Sequence, residues 1–93
     1  MPAFIRVWKE NSHYVAEIPS LHIVDQGEDM NDLRKNLKEA IELTAESLVR
    51  DDLKLKGKKA KEAIAMIATP LIASLDFVMV QKARKLLLGA AKA

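Results

Sequence analysis

The chain has 93 residues, 49% of them hydrophobic and 30% charged, the balance of one ordinary globular domain. It contains no cysteine, which excludes disulfides and thiolate metal sites. The net charge of +2 conceals a split: 6 basic and 11 acidic residues up to Leu53, a net of −5, then 9 basic and 2 acidic from Lys54 onward, a net of +7, an asymmetry that bears on partners rather than on fold.

In chain order, residues 3–9, Ala-Phe-Ile-Arg-Val-Trp-Lys, are rich in β-formers and predict a strand. Glu10, Asn11 and Ser12 form a short polar turn. His13 to Ile18 is the returning strand, and Pro19 stops it by removing an amide donor. Leu21 to Gln26 reads as a third strand, so that the three make an antiparallel meander.

The stretch from Gln26 to Val49 is the longest periodic segment. Met30, Leu33, Leu37, Ala40, Ile41, Thr44 and Leu48 recur at steps of three and four and define one stripe of a helix. Asp29 is placed to cap it by accepting from amides one turn in. Gly27 allows a sharp turn just before the cap. Lys35, Lys38, Glu39, Glu42 and Glu46 are helix formers on the solvent side. The apolar stripe is expected to cover one face of the meander.

Lys54 to Lys61 is lysine-rich around Gly57 and reads as a connection into a second helix, Lys58 to Ala68, striped by Ala60, Ala63, Ile64 and Ile67. Pro70 is expected to end that helix, because the residue before a proline avoids helical angles. Leu71 to Val80 suits either period. Ile72, Phe77, Val78 and Val80 favour a strand, and a fourth strand is the expectation. Gln81 to Ala91 reads as a short terminal helix with Leu86, Leu87 and Leu88 partly buried. The longest apolar runs are broken by Asp76 or by lysines, so that no bilayer-spanning segment is expected. Strand-like sequence begins without a basic leader, unlike a signal peptide. The default expectation is a cytoplasmic protein.

Residues 14–21, Tyr-Val-Ala-Glu-Ile-Pro-Ser-Leu, followed by Gly27-Glu28-Asp29 and then Leu33, Asn36, Glu39 and Ala40, resemble the HicB-like antitoxin family. The order and spacing of these elements carry the resemblance over about the first fifty residues, on the scale of half a domain. Ser20 stands where the family usually has an acid, His22-Ile23 where it often has Pro-Gly, and Asp29 where it has a Thr cap. The resemblance implies an α+β fold of two layers: a three-stranded meander, a long helix, and a last strand joining the sheet. The helix at Lys58 to Ala68 would be an insertion. The expected organisation is a single domain over 1–93, with the sheet and helix core in 1–50 and a basic extension in 51–93. Family members neutralise small HicA-like RNA-cleaving toxins. Many carry a C-terminal DNA-binding module, for which this chain has too few residues after its expected fourth strand.

Several groups of residues bear on function. Glu17, Asp25 and Asp76 lie on expected strands. A two-metal nuclease needs clustered carboxylates, but solvent-facing positions on a half-buried sheet are the favoured reading. His13 and His22 lack a third ligand for zinc and read as strand-surface side chains. Trp8 and Tyr14 could stack on a base; anchoring a protein interface is favoured. Lys54, Lys56, Lys58, Lys59 and Lys61, with Lys82, Arg84 and Lys85, could contact phosphates in a salt-dependent manner, although the run lacks interleaved aromatics and reads first as a solvated surface. Glu39, Glu42 and Glu46 offer an acidic helix face to a basic toxin-like partner. The expectation is therefore a non-catalytic binding protein, an antitoxin-like subunit or an orphan relative of that family, not an enzyme and without a cofactor or metal. It would form homo-oligomers because a chain this small buries little of its surface alone. Nucleic-acid binding through the basic half is the alternative.

Overall fold

The structure, a computed structural model, describes residues 4–92. It has an α+β fold: a three-stranded antiparallel sheet followed by two helices. The strands are β1 (Arg6–Glu10), β2 (His13–Ile18) and β3 (Ile23–Gly27), with β2 in the centre. Trp8 pairs with Val15, and Val15 with Gln26; Val7 pairs with Ala16, and Ala16 with Asp25. Ala3, included in the expected first strand, lies outside the described residues.

Two corners of the meander use backbone angles that most side chains avoid. Asn11, in the β1–β2 turn, has a φ of 55°, which an asparagine tolerates. Pro19–Leu21 is a turn of 3-10 helix, closed by His22 at φ 55°, with the His22 amide donating to the Pro19 carbonyl at 3.1 Å. The third strand therefore begins at Ile23, two residues later than the sequence suggests. Pro19 opens a tight turn, where its fixed φ is an asset.

The helix α1 (Met30–Ser47) is capped by Asp29, as expected. The Asp32 amide donates to Asp29 Oδ1 at 2.8 Å, and the Asp32 carboxylate accepts from the Glu28 amide at 3.0 Å. The two aspartates thus satisfy amides on either side of the helix start, in the manner of a capping box. Asn36 Nδ2 donates to the Gln26 carbonyl at 2.8 Å and ties α1 to the end of β3. Leu33, Leu37, Ile41 and Ala45 are buried against the sheet. The stripe continues through Val49 rather than Leu48, which is 40% exposed. Here the helix widens into one π-helical stretch, Leu48–Asp52, with the Leu53 amide donating to the Leu48 carbonyl at 2.9 Å. Such a stretch changes which side chains face inward.

Beyond Asp52 the structure departs from the expectation. There is no fourth strand over Leu71–Val80, and the second and terminal helices are one element, α2 (Gly57–Lys92), with Pro70 inside it. Pro70 is exposed, so the site of its missing amide faces solvent rather than the core. As a helix, the stretch after Pro70 sends Leu71, Ile72, Leu75, Val78 and Met79 into the core at steps of one, three and four. The sheet is covered by α1 over β2 and β3, while α2 packs along α1. Arg34, near the start of α1, meets Asp76, far along α2, through a two-pronged ion pair with Nη2–Oδ2 at 3.3 Å, so the helices run antiparallel. Leu88, expected to be partly buried, is 61% exposed; Leu86 and Leu87 lie outside the described side chains. Because α2 is continuous, its Gly57–Lys85 portion is long and apolar enough to cross a membrane by length and composition, against the expectation from the interrupted runs.

Candidate protein-binding surfaces

The outer side of α1 holds the first surface. Burying Leu33, Leu37, Ile41 and Ala45 turns Glu39, Glu42 and Glu46 to solvent. Lys38 lies 3.9 Å from Glu42 and Arg50 lies 3.4 Å from Glu46, each four residues away. These pairs steady the glutamate side chains without removing the acid, since exposed ion pairs are weak. Leu43 sits among the three glutamates, 66% exposed, and together they line one shallow groove of about 370 Å³. The sequence carried a signal for Leu43: it is a large aliphatic residue off the stripe of α1.

The second surface is the sheet face away from the helices. Strand alternation places Trp8 there beside Val15, with Arg6, Glu17, Val24 and Gln26 around them. The Arg6 guanidinium lies 5.7 Å from the Trp8 ring centre and 3.2 Å from Glu17. Tyr14 points the other way, half-buried against the helix-side core, with the Lys9 ammonium 5.8 Å from its ring centre. Trp8 and Tyr14 therefore lie on opposite faces and cannot act as one stacking platform.

The lysines form a third cluster. Lys54, at φ 58°, and Lys56 lie in the connection, while Lys58, Lys59 and Lys61 occupy the first turns of α2. All five are exposed. Lys82, Arg84 and Lys85 stand near the other end of the same helix, so the two basic groups are separated by most of its apolar length.

The carboxylates considered for metal chemistry do not converge. Glu17 and Asp25 are on opposite sheet faces, because Asp25 pairs with Ala16 and Glu17 with Val24. Asp76 is on α2 in the pair with Arg34, whose hydrogen bond, chiefly, holds the Asp76 carboxyl below its ordinary range. His13 is half-buried at the start of β2, in a cleft with Asp25, Glu28, Asp32 and Asn36, whereas His22 is exposed in its left-handed turn. Among the described residues no group of three or more His, Cys, Asp or Glu side chains could hold a metal ion.

The fold defines the class as an α+β domain in which a small meander carries two long helices. Comparisons with protein-family models, curated proteins and solved structures return no match for this chain.

Sequence reasoning missed one further surface. The outward side of α2 exposes Met66, Phe77 and Val80. Its signal, the spacing of these residues, was hidden by dividing the segment at Pro70.

Proposed function

We propose that this chain is a non-catalytic binding protein of the HicB-like antitoxin kind, which self-associates and captures a small basic RNA-cleaving partner of the HicA-like kind on the outer face of α1. The observation that carries the reading is Leu43, exposed in a groove walled by Glu39, Glu42 and Glu46. An apolar anchor inside a charged rim is the usual composition of a protein interface. An acidic rim also speeds the approach of a protein that must itself present a basic surface to RNA phosphates.

The test uses the product of a neighbouring short basic reading frame, co-expressed and immobilised. Reversing Glu39, Glu42 and Glu46 to lysine is expected to slow association at least tenfold at low salt, and added salt is expected to slow the parent in the same way, since screening acts within about 10 Å at 0.1 M. Leu43→Ala is expected to speed dissociation. Equal association rates for the parent and the charge-reversed protein would remove the reading. A salt-sensitive RNA mobility shift that survives charge reversal but is lost on replacing Lys58, Lys59 and Lys61 by glutamine would favour nucleic-acid binding instead.

A further inference from the structure

The helix α2 is apolar on both of its long sides. One side is in the core, through Ala60, Ala68, Leu75 and Met79. On the other, Met66, Phe77 and Val80 are 77%, 66% and 56% exposed, and Ala73 between them is exposed as well. At about 100° of turn per residue, Glu62, Met66, Ala73, Val80 and Arg84 all fall within about 20° of one line, with Thr69 and Phe77 about 40° to either side. The steps follow the pattern by which two helices pack along a seam.

We infer that this outward seam of α2 is where two copies of the chain pair, antiparallel, about a two-fold axis at Ala73. The inference rests on the self-association proposed above and adds its surface and geometry. Two features of the seam favour a second copy as the occupant. The first is self-complementarity. Met66 and Val80 each lie seven residues from Ala73, and Glu62 and Arg84 each lie eleven. A seam with a small residue at its midpoint and large apolar residues at equal distances matches its own reverse, as a two-fold interface requires. The second is charge. Antiparallel pairing sets Glu62 of one copy beside Arg84 of the other, twice, whereas parallel pairing in register would oppose Glu62 to Glu62 and Arg84 to Arg84.

A bilayer is the other candidate cover, since Gly57–Lys85 has the length and composition for one. The opposite side of that stretch is held by α1, however, and the Arg34–Asp76 pair lies on its flank. Lipid around α2 would have to enclose this pair, which is costly. The seam from Glu62 to Arg84 is about 33 Å long. Two helices meeting over that length bury an area toward the lower end of specific interfaces, which fits a dimer that dissociates in the micromolar range.

The chain has no cysteine, so single cysteines report on the pairing cleanly. Under mild oxidation, a mixture of the Glu62→Cys and Arg84→Cys proteins is expected to cross-link at least tenfold faster than either alone, and Ala73→Cys is expected to cross-link with itself. Phe77→Glu is expected to sediment as a monomer at about 100 µM, well above a micromolar dissociation constant, with the helical circular dichroism of the parent. Cross-linking of each single variant with itself but not of the mixture would mean parallel pairing and would overturn the geometry. A parent dimer that Phe77→Glu leaves intact, with no cross-link at Ala73→Cys, would overturn the surface but leave self-association standing. A parent that is monomeric at that concentration would overturn both. Flotation of the parent with phosphatidylcholine–phosphatidylglycerol vesicles, lost in Phe77→Glu, would assign the seam to lipid and overturn the inference.

Discussion

Single residues hold the junctions of this fold. Gly27 ends β3 at the point where α1 passes closest. A Cβ there would fall against the Leu33 amide nitrogen, 2.7 Å from its Cα and 2.9 Å from the Asp32 carbonyl carbon. These are backbone atoms and cannot move aside, so the glycine serves close approach. Gly27→Ala is expected to destabilise the protein by about 2–3 kcal/mol, the cost of overpacking against a rigid neighbour, read as a shift in the urea midpoint at unchanged slope. Asp76 makes the charged junction between the helices. The hydrogen bond from Arg34 is the largest influence and holds its carboxyl below the ordinary value of 3.8; desolvation opposes it, and the charges of Arg34 and Lys38 lower it further. A carboxyl lowered on folding contributes stability above its unfolded pKa and loses it as the pH falls through the folded one. Asp76→Asn is therefore expected to lower the melting temperature slightly at pH 7, because the pair is nearly half exposed and such pairs are weak. The difference from the parent should shrink as the pH falls below the unfolded value of 3.8 and vanish once the folded carboxyl is protonated. A gap of constant size across the titration would assign the effect to packing rather than to charge.

The two helices solve their ends differently. At the start of α1, Asp29 and Asp32 share the amide bonds, and both acids also favour the positive end of the helix dipole. α2 opens with Gly57 and lysines and has no acid in its first turn, an arrangement for which the structure offers no stabilising contact. Its continuity through Pro70 is the more telling feature. A proline inside a helix loses one amide bond and costs about 3 kcal/mol relative to alanine. α2 survives because Leu75, Met79 and Ala68 bury apolar surface on both sides of that position, each large core side chain contributing roughly 1.5–3 kcal/mol. Pro70→Ala is expected to raise stability by about 1–3 kcal/mol, less than the full propensity difference because proline also restricts the unfolded chain. Chemical denaturation of the two proteins below micromolar concentration reads it without interference from the proposed self-association. A lower midpoint would show that packing around the proline favours it.

At the scale of the molecule, α2 sets the shape. The chain measures 53 × 21 × 21 Å, with a radius of gyration of 15.1 Å, where a compact chain of this length would have about 12 Å. A helix of 36 residues is about 54 Å long and accounts for the long axis alone. Elongation leaves apolar side chains uncovered, among them Phe4, Val24, Leu43, Met66 and Phe77. It also sets the candidate surfaces apart. The acidic groove of α1, the Trp8 face of the sheet and the outward seam of α2 are three different sides of one chain. The proposed pairing through α2 and the proposed capture through α1 would therefore make separate demands on the sequence, and substitutions at Glu39, Glu42 and Glu46 should leave the cross-links through Ala73→Cys unchanged.

The meander, the cap at Asp29 and the buried stripe Leu33–Leu37–Ile41 were determined by the sequence itself. They rest on local chemistry: alternation on strands, a carboxylate one turn from free amides, and apolar residues at helical spacing. The same holds for the exposure of Glu39, Glu42, Glu46 and the lysines, which follows from the stripe opposite them. The fate of Leu71–Val80 was decided only in three dimensions. Its run of apolar residues satisfies a strand period and a helix period alike, and Pro70 argues locally for a break. The choice went to the helix because only that geometry sends Leu71, Leu75, Val78 and Met79 to one side, where α1 and the sheet are waiting. Long-range contacts also fixed the Arg34–Asp76 pair, whose partners lie 42 residues apart, and the separation of Trp8 from Tyr14, which depends on register. A local pattern can report the face on which a side chain lies within its own element; which neighbour that face meets is set by how the elements pack.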